Sequence, residues 1–227
     1  MSRLDLLDAD RLSAPGGEPV LIVSAADWRR PDLPIQAVVI GVDREAALPK
    51  TAIDDFDLLL TSAPDAPRPW VSIKPGKMDT EVGRLAGAVQ ANPQAATIAA
   101  STLRMASRLP LAEALMVESL AYSTLLGGAE FAHWRASVPT GRTPAVAEPV
   151  RIDREGDRIA LTLNDTANRN AMTASMRDAL YEALVNALED PSGPDVFLRG
   201  AGKCFSTGGA LAEFGSAKDL AEAHAVR

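Results

Sequence analysis

The chain has 227 residues, 47% of them hydrophobic, enough for one large domain or two modest ones with a real core. Aromatic residues make up only 4%, and alanine and leucine dominate, which favours a helix-rich α/β fold over an all-β sandwich. A formal charge of −7 with no basic cluster excludes a nucleic-acid surface, and no apolar run approaches the length of a bilayer span.

The first residues, Met1 to Leu12, carry charges where a signal peptide would carry its apolar stretch, so a cytoplasmic protein is expected. Four short apolar runs follow, at Val20–Val23, Ala37–Val42, Asp57–Thr61 and Trp70–Ile73. They are rich in β-branched residues and separated by Pro and Gly, which predicts buried strands. From Asp79 the period becomes helical, with Val82, Leu85, Ala86 and Val89 on one stripe. Asn92-Pro93 opens a second helix, with Asn92 as its cap and Pro93 in the first turn. A third runs from Leu111 to Leu126, marked by Leu111, Leu115 and Leu120, and Gly127-Gly128 ends it. A short fourth segment carries Phe131 and Trp134.

His133, beside Trp134, reads as a partly exposed packing residue, and His224 carries no interpretable pattern. Neither has a metal-ligand spacing such as HExxH, so no metal site is predicted. A single cysteine, Cys204, rules out an intramolecular disulfide.

Residues 138–149, VPTGRTPAVAEP, lack hydrophobic periodicity and contain Pro139, Pro144 and Pro149. They predict a linker that divides an α/β unit over 1–137 from a second unit over 150–227. No internal repeat is present. The second unit opens with a hairpin, Val150–Asp153 and Arg158–Leu163, turning at Arg154-Glu155-Gly156-Asp157. An irregular connection, Asn164–Met172, leads to a helix capped by Thr173. Met176, Leu180, Leu184 and Leu188 line one face of that helix, with Ala179, Ala183 and Ala187 beside them. Asp190 to Pro194 stops the helix, Val196–Leu198 forms a short buried strand, and a glycine-rich loop feeds a further helix.

That loop, Gly200-Ala201-Gly202-Lys203-Cys204-Phe205-Ser206-Thr207-Gly208-Gly209-Ala210-Leu211, is where chemistry is expected. Glycines directly after a buried strand let the backbone approach a ligand, and unpaired N–H groups there can hold an anionic oxygen. The same glycines also fit a tight strand-to-helix turn with no ligand. A P-loop fails on spacing, since Phe197 replaces the first Gly and Cys204 follows Lys203. A nucleophile elbow around Ser206 fails because Cys204 stands where a Gly is needed. Cys204 itself reads as a small buried hydrophobe.

Two motifs in register give the second unit a resemblance. Leu163-Asn164, then Asn168-Arg169-Asn170-Ala171-Met172, resembles the "LNrP…rNAl" segment of the enoyl-CoA hydratase/isomerase (crotonase) family. Gly202 to Leu211 resembles the family's "GkaFsaGaDL" loop, and the expected helix lies between the two. The match covers about residues 149–215. It implies the N-terminal part of a crotonase-type ββα fold and an acyl-CoA thioester substrate, with coenzyme A as part of the substrate and no tightly bound cofactor. By motif position the Gly209 N–H is implied to be one oxyanion-hole donor. Arg169, Ala171, Ser206, Thr207, Gly208, Ala210 and Leu211 are implied to line the CoA and acyl site. Lys203 or Arg199 either meets CoA phosphates or is an exposed, solvated charge.

Two departures qualify what the resemblance implies. Ala210 stands where the family has Asp, which leaves the main-chain donor intact but removes a carboxylate that would help fix the loop. The chain ends at Arg227, so the second donor and the family's catalytic carboxylates are expected beyond it. Glu213 and Glu222 are expected to be ordinary solvated helix residues. An incomplete fold would expose sheet edge and apolar surface, so a homo-oligomer or a completing partner chain is expected. A non-catalytic subunit or truncated fragment with an assembly or CoA-binding role is the alternative to an enzyme. In the first unit, Leu109–Ser123 and Glu130–Trp134 resemble an N-terminal extension of some bacterial members of the family, for which packing or assembly is expected.

Overall fold

A computed structural model describes residues 11–32, 35–138, 146–216 and 219–225. Their contacts divide the chain into two units, Met1–Ala132 with Leu220–Arg227, and His133–Asp219. Both are mixed α/β, as expected. Of the expected linker, residues 139–145 lie outside the described residues.

The first unit holds four strands, β1 (Val20–Ser24), β2 (Val38–Asp43), β3 (Leu58–Thr61) and β4 (Trp70–Ser72), parallel and in the order β1-β2-β3-β4. All six residues of β2 are buried, as an unbroken apolar run requires when both faces are covered. On one face, helices α1 (Met78–Ala91) and α2 (Pro93–Ala106) close a core of Val38, Ile40, Val42, Leu60, Met78, Val82 and Ala100. On the other, Leu12, Ile35, Ala37 and Val39 pack with Trp28 and Phe56. β4 departs from expectation: it is an edge strand and largely exposed, because it has a neighbour on one side only.

A part-buried ion pair ties α2 to the loops beside the sheet. The Arg104 guanidinium donates to both Asp57 carboxylate oxygens and to the carbonyls of Ile35 and Ala37, while Asp57 Oδ2 also accepts from the Val39 N–H. These bonds offset the cost of partly desolvating the two charges.

The helix caps and stripes depart from expectation in two places. Asn92 makes no side-chain cap; Glu130 of α4 (Ala129–Ser137) does, its two oxygens accepting the Gln94 and Ala95 N–H groups at 2.8 Å each. A carboxylate at this helix end also meets the positive pole of the dipole. In α3 (Leu111–Leu126) the buried residues are Ser119 and Ser123, while Leu111, Leu115 and Leu120 are exposed. The small serines allow close approach of the final helix, α6 (Leu220–Ala225), where the Ser119 hydroxyl donates to the His224 carbonyl at 3.0 Å and lies 2.8 Å from its Nδ1. His133 is exposed. No helix among the described residues is long and apolar enough to cross a membrane.

In the second unit β5 (Val150–Glu155) pairs antiparallel with β6 (Arg158–Leu163), which pairs parallel with β7 (Asp195–Gly200). α5 (Ala174–Leu188) lies on β5 and β6, burying Val150, Ile159, Leu161, Leu163, Met176, Ala183 and Ala187. The Thr173 hydroxyl caps α5 by accepting from the Met176 N–H. The buried line on α5 is the alanine line; Leu184 and Leu188 face outward. β7 is not buried as expected. Val196, Phe197 and Leu198 are all exposed, because the strand lies at the sheet edge and α5 covers its neighbours instead.

One buried carboxylate gives the first unit a pH dependence. Burial opposes the ionisation of Asp43, but the Thr61 hydroxyl and the Leu48, Ala47 and Glu45 N–H groups outweigh it and hold its pKa below the ordinary value of 3.8. A depressed folded-state pKa adds stability that is present above the unfolded value and is lost as pH falls through the folded one. Denaturant titrations should therefore find the first unit less stable at pH 3 than at pH 7. In Asp43→Asn, which keeps the shape but not the charge, that difference should shrink; an unchanged difference would assign the acid sensitivity to other carboxylates.

Candidate functional site

The connection from β6 to α5 and the glycine loop after β7 are stitched together by one side chain. Arg169 and Asn170 both adopt left-handed backbone conformations, φ +53° and +54°, which asparagine tolerates well. This turns the Asn170 side chain into the unit, where it is fully buried. Its Oδ1 accepts from the Asp165 N–H at 2.9 Å, and its Nδ2 donates to the Ala201 and Cys204 carbonyls at 2.9 Å each. Its main-chain N–H donates to the Asp165 carbonyl at 2.7 Å. The Asp165 carboxylate in turn accepts from the Asn168 main-chain and side-chain nitrogens.

The glycine loop needs its first residue to be Gly for steric reasons. A Cβ on Gly200 would stand 2.6 Å from the Phe205 Cα and 2.8 Å from the Cys204 carbonyl oxygen, and backbone cannot move aside cheaply. Gly202 and Gly208 take φ of +76° and +82°, open to Gly at no steric cost. The loop then runs beside residue 172. The Met172 N–H donates to the Gly208 carbonyl at 2.8 Å and the Ala210 N–H donates to the Met172 carbonyl at 3.1 Å.

That parallel bridge decides the direction of the central amide. Its bonds use the groups of residues 208 and 210, so the N–H and C=O of Gly209 point to the opposite side. There lies a cleft of about 390 Å³ lined by Ala167, Asn168, Arg169, Ala171, Thr207 and the segment from Gly209 to Ala212. The Gly209 N–H has no acceptor among the described residues. Arg169 is the one charged side chain on the cleft wall, and no ion pair engages it among the described residues.

Of the residues expected at the site, Arg169, Ala171, Thr207, Gly209, Ala210 and Leu211 line this cleft together. Gly208 and Ser206 stand behind it. The Ser206 hydroxyl donates to the Asn170 carbonyl at 2.7 Å and accepts from the Gly208 N–H at 3.0 Å. Arg199 is turned elsewhere, bonding Thr162 Oγ1 at 2.8 Å and the Asp153 carboxylate at 3.2 Å, while Lys203 is exposed. Cys204 is half-buried rather than fully so, with its Sγ 3.4 Å from the Ser206 carbonyl.

Two further expectations change. The loop does not feed the next helix directly: a 3₁₀ turn at Leu211–Glu213 follows it, and α6 starts only at Leu220. Glu213 is not merely solvated: its carboxylate accepts from the Ala174 N–H at 2.8 Å, at the start of α5. The Glu222 side chain lies outside the described residues. Asn170 was not singled out for a role from the sequence, although an Asn between Arg and Ala in an irregular connection is the residue type that a left-handed turn selects.

No protein-family model and no curated protein matches the chain. Solved structures do resemble part of it. A carnitinyl-CoA dehydratase from Mycobacterium avium 104 is 33% identical over 33% of this chain and 28% of its own, with a TM-score of 0.28. An enoyl-CoA hydratase from Mycobacterium tuberculosis H37Rv is 33% identical over 32% of each chain, with a TM-score of 0.29. One from Thermoplasma volcanium GSS1 is 26% identical over 35% of this chain and 31% of its own, with a TM-score of 0.31. Enoyl-CoA hydratase/isomerase (crotonase) structures are thus among those similar to part of this chain. The chain spans about a third or less of the length of these three proteins.

The wall of the cleft should fail if its stitch is cut. Asn170→Ala strands two buried carbonyls and one N–H, each costing about 1–3 kcal/mol when unpaired. We expect a loss of about 2–4 kcal/mol in the second unit, read by urea denaturation, given partial relaxation of the loop. A loss below about 1 kcal/mol, the net worth of one ordinary hydrogen bond, would show that water replaces the stitch.

Proposed function

We propose that the second unit binds an acyl-CoA thioester and polarises its carbonyl, the step shared by enoyl-CoA hydration and double-bond isomerisation. The observation that carries this reading is the unclaimed Gly209 N–H, held by bonds on both flanks and turned to a cleft. A fixed donor costs nothing to reorient when charge develops on the thioester oxygen, and removing one such donor costs about 2.7–4 kcal/mol of barrier in a well-studied case. The motif resemblance over residues 149–215 supports the thioester as the group polarised. Coenzyme A belongs to the substrate, and no tightly bound cofactor or metal is part of the proposal. Arg169 is the side chain suited to the CoA phosphates, since a guanidinium at the cleft wall offers several donors in a planar fork. Thr207, Ala171, Ala210 and Leu211 supply the rest of the wall.

The proposal includes a partner. Among the described residues β7 pairs only with β6, leaving one edge free and Val196, Phe197 and Leu198 exposed. Further strand and helix from the same domain, or a second chain in a homo-oligomer, would cover it. A cytoplasmic setting is part of the same reading.

A second reading has its own observation. No carboxylate lines the cleft among the described residues, and the nearest in sequence, Glu213, is engaged at the start of α5. On this reading the chain binds a CoA thioester without turning it over alone.

Hydration of a short 2-enoyl-CoA by the full chain separates the two: measurable turnover excludes the binding-only reading. Gly209→Pro removes the donor and should abolish carbonyl polarisation or turnover. Activity equal to that of the parent chain would refute the assignment of Gly209. Arg169→Ala should weaken CoA-thioester binding by about tenfold at low salt, with a smaller effect at high salt. A salt-independent loss, or none, would move the phosphates elsewhere.

A further inference from the structure

We infer that the Ser206 hydroxyl is a positioning residue of this cleft: it sets where the Gly209 N–H stands without touching the ligand. The inference rests on the reading of Gly209 as an oxyanion donor. Ser206 does not line the cleft. Its one proton goes to the Asn170 carbonyl at 2.7 Å, and its oxygen accepts from the Gly208 N–H at 3.0 Å. The hydroxyl is therefore engaged in both directions, and it joins the connection before α5 to the residue just ahead of the donor.

One other bond holds that residue: its carbonyl accepts from the Met172 N–H at 2.8 Å. Gly208 has φ +82°, and the space where a Cβ would stand is empty to 4 Å, so no packing of a side chain fixes it. Downstream, the Ala210 N–H bond to the Met172 carbonyl holds the other flank. Gly209 thus sits between two main-chain bonds to Met172, with the hydroxyl latch on the Gly208 N–H just upstream of them. Opening the latch leaves residue 208, a glycine with a wide choice of φ and ψ, held by the Met172 bond alone, so that the next peptide can shift. A misplacement of about 1 Å at a reacting group can cost about 100-fold in rate, so a latch outside the cleft can govern chemistry inside it.

The test uses the full chain, a short 2-enoyl-CoA with ¹³C at its carbonyl, and the variants Ser206→Ala and Ser206→Thr. Isotope-edited infrared spectroscopy reads the bound thioester carbonyl, and amide hydrogen exchange reads Ala210. In Ser206→Ala we expect the carbonyl shift to be lost while thioester affinity stays within about twofold, the mark of an interaction that polarises rather than binds. Ala210 exchange should quicken by roughly tenfold, equivalent to one hydrogen bond. Ser206→Thr, which keeps the hydroxyl, should restore both. A Ser206→Ala chain identical to the parent in carbonyl shift and exchange overturns the inference. If the parent chain shows no carbonyl shift, the oxyanion reading fails separately, and exchange alone then decides: faster exchange upholds the latch on the loop, and unchanged exchange removes it.

Discussion

The second unit depends on the side chain of Asn170. One buried amide joins the connection before α5 to the glycine loop, bonding the Asp165 N–H, the Ala201 carbonyl and the Cys204 carbonyl. A carboxylate in its place would lack the two donors, and an aliphatic chain would lack all three bonds. Because the side chain is fully buried, each of those partners would be left unpaired without it. The left-handed backbone at Arg169 and Asn170 delivers the amide to that position, and the same turn puts the Arg169 guanidinium on the cleft wall. Structural and candidate chemical roles therefore come from adjacent residues of one strained pair.

Much of the architecture was legible because it follows from local rules. The hairpin, the Thr173 cap and the order of elements in the second unit are set by turn chemistry, capping and alternation, which act over a few residues. The misread features all depend on what lies across space. Leu111, Leu115 and Leu120 mark α3 as a helix, but which face turns inward is settled by α2 and α6, and α6 demands the small Ser119 and Ser123. Val196–Leu198 reads as a buried strand because it is apolar on both faces, yet all three residues stay exposed, with the Arg158 guanidinium over the Phe197 ring. Asn92 has the residue type of a helix cap, but Glu130, far away in sequence, provides two oxygens where Asn92 could provide one.

The candidate site divides in the same way. Gly209 could be nominated as a donor from motif position, since a main-chain donor needs only the right place in the loop. The roles of Ser206 and Glu213 could not, because the same side chain can line a cleft, brace a loop or cap a helix with no change in local sequence. In the structure both turn away from the cleft, toward Asn170 and Gly208 in one case and the start of α5 in the other.

An alanine at position 210 is intelligible on this geometry. The Ala210 methyl is buried and its N–H is fixed on the Met172 carbonyl, so the residue is held by main chain and packing. The Glu213 carboxylate, three residues later, reaches across to the Ala174 N–H and ties the loop's exit to α5. This carboxylate braces the loop's exit by acting on a helix start, where its charge also meets the positive end of the dipole. What the loop presents to the cleft carries no charge: Thr207, Gly209, Ala210 and Leu211. Such a surface tolerates side-chain change at 210 while remaining sensitive to anything that alters the path from Ser206 to Ala210.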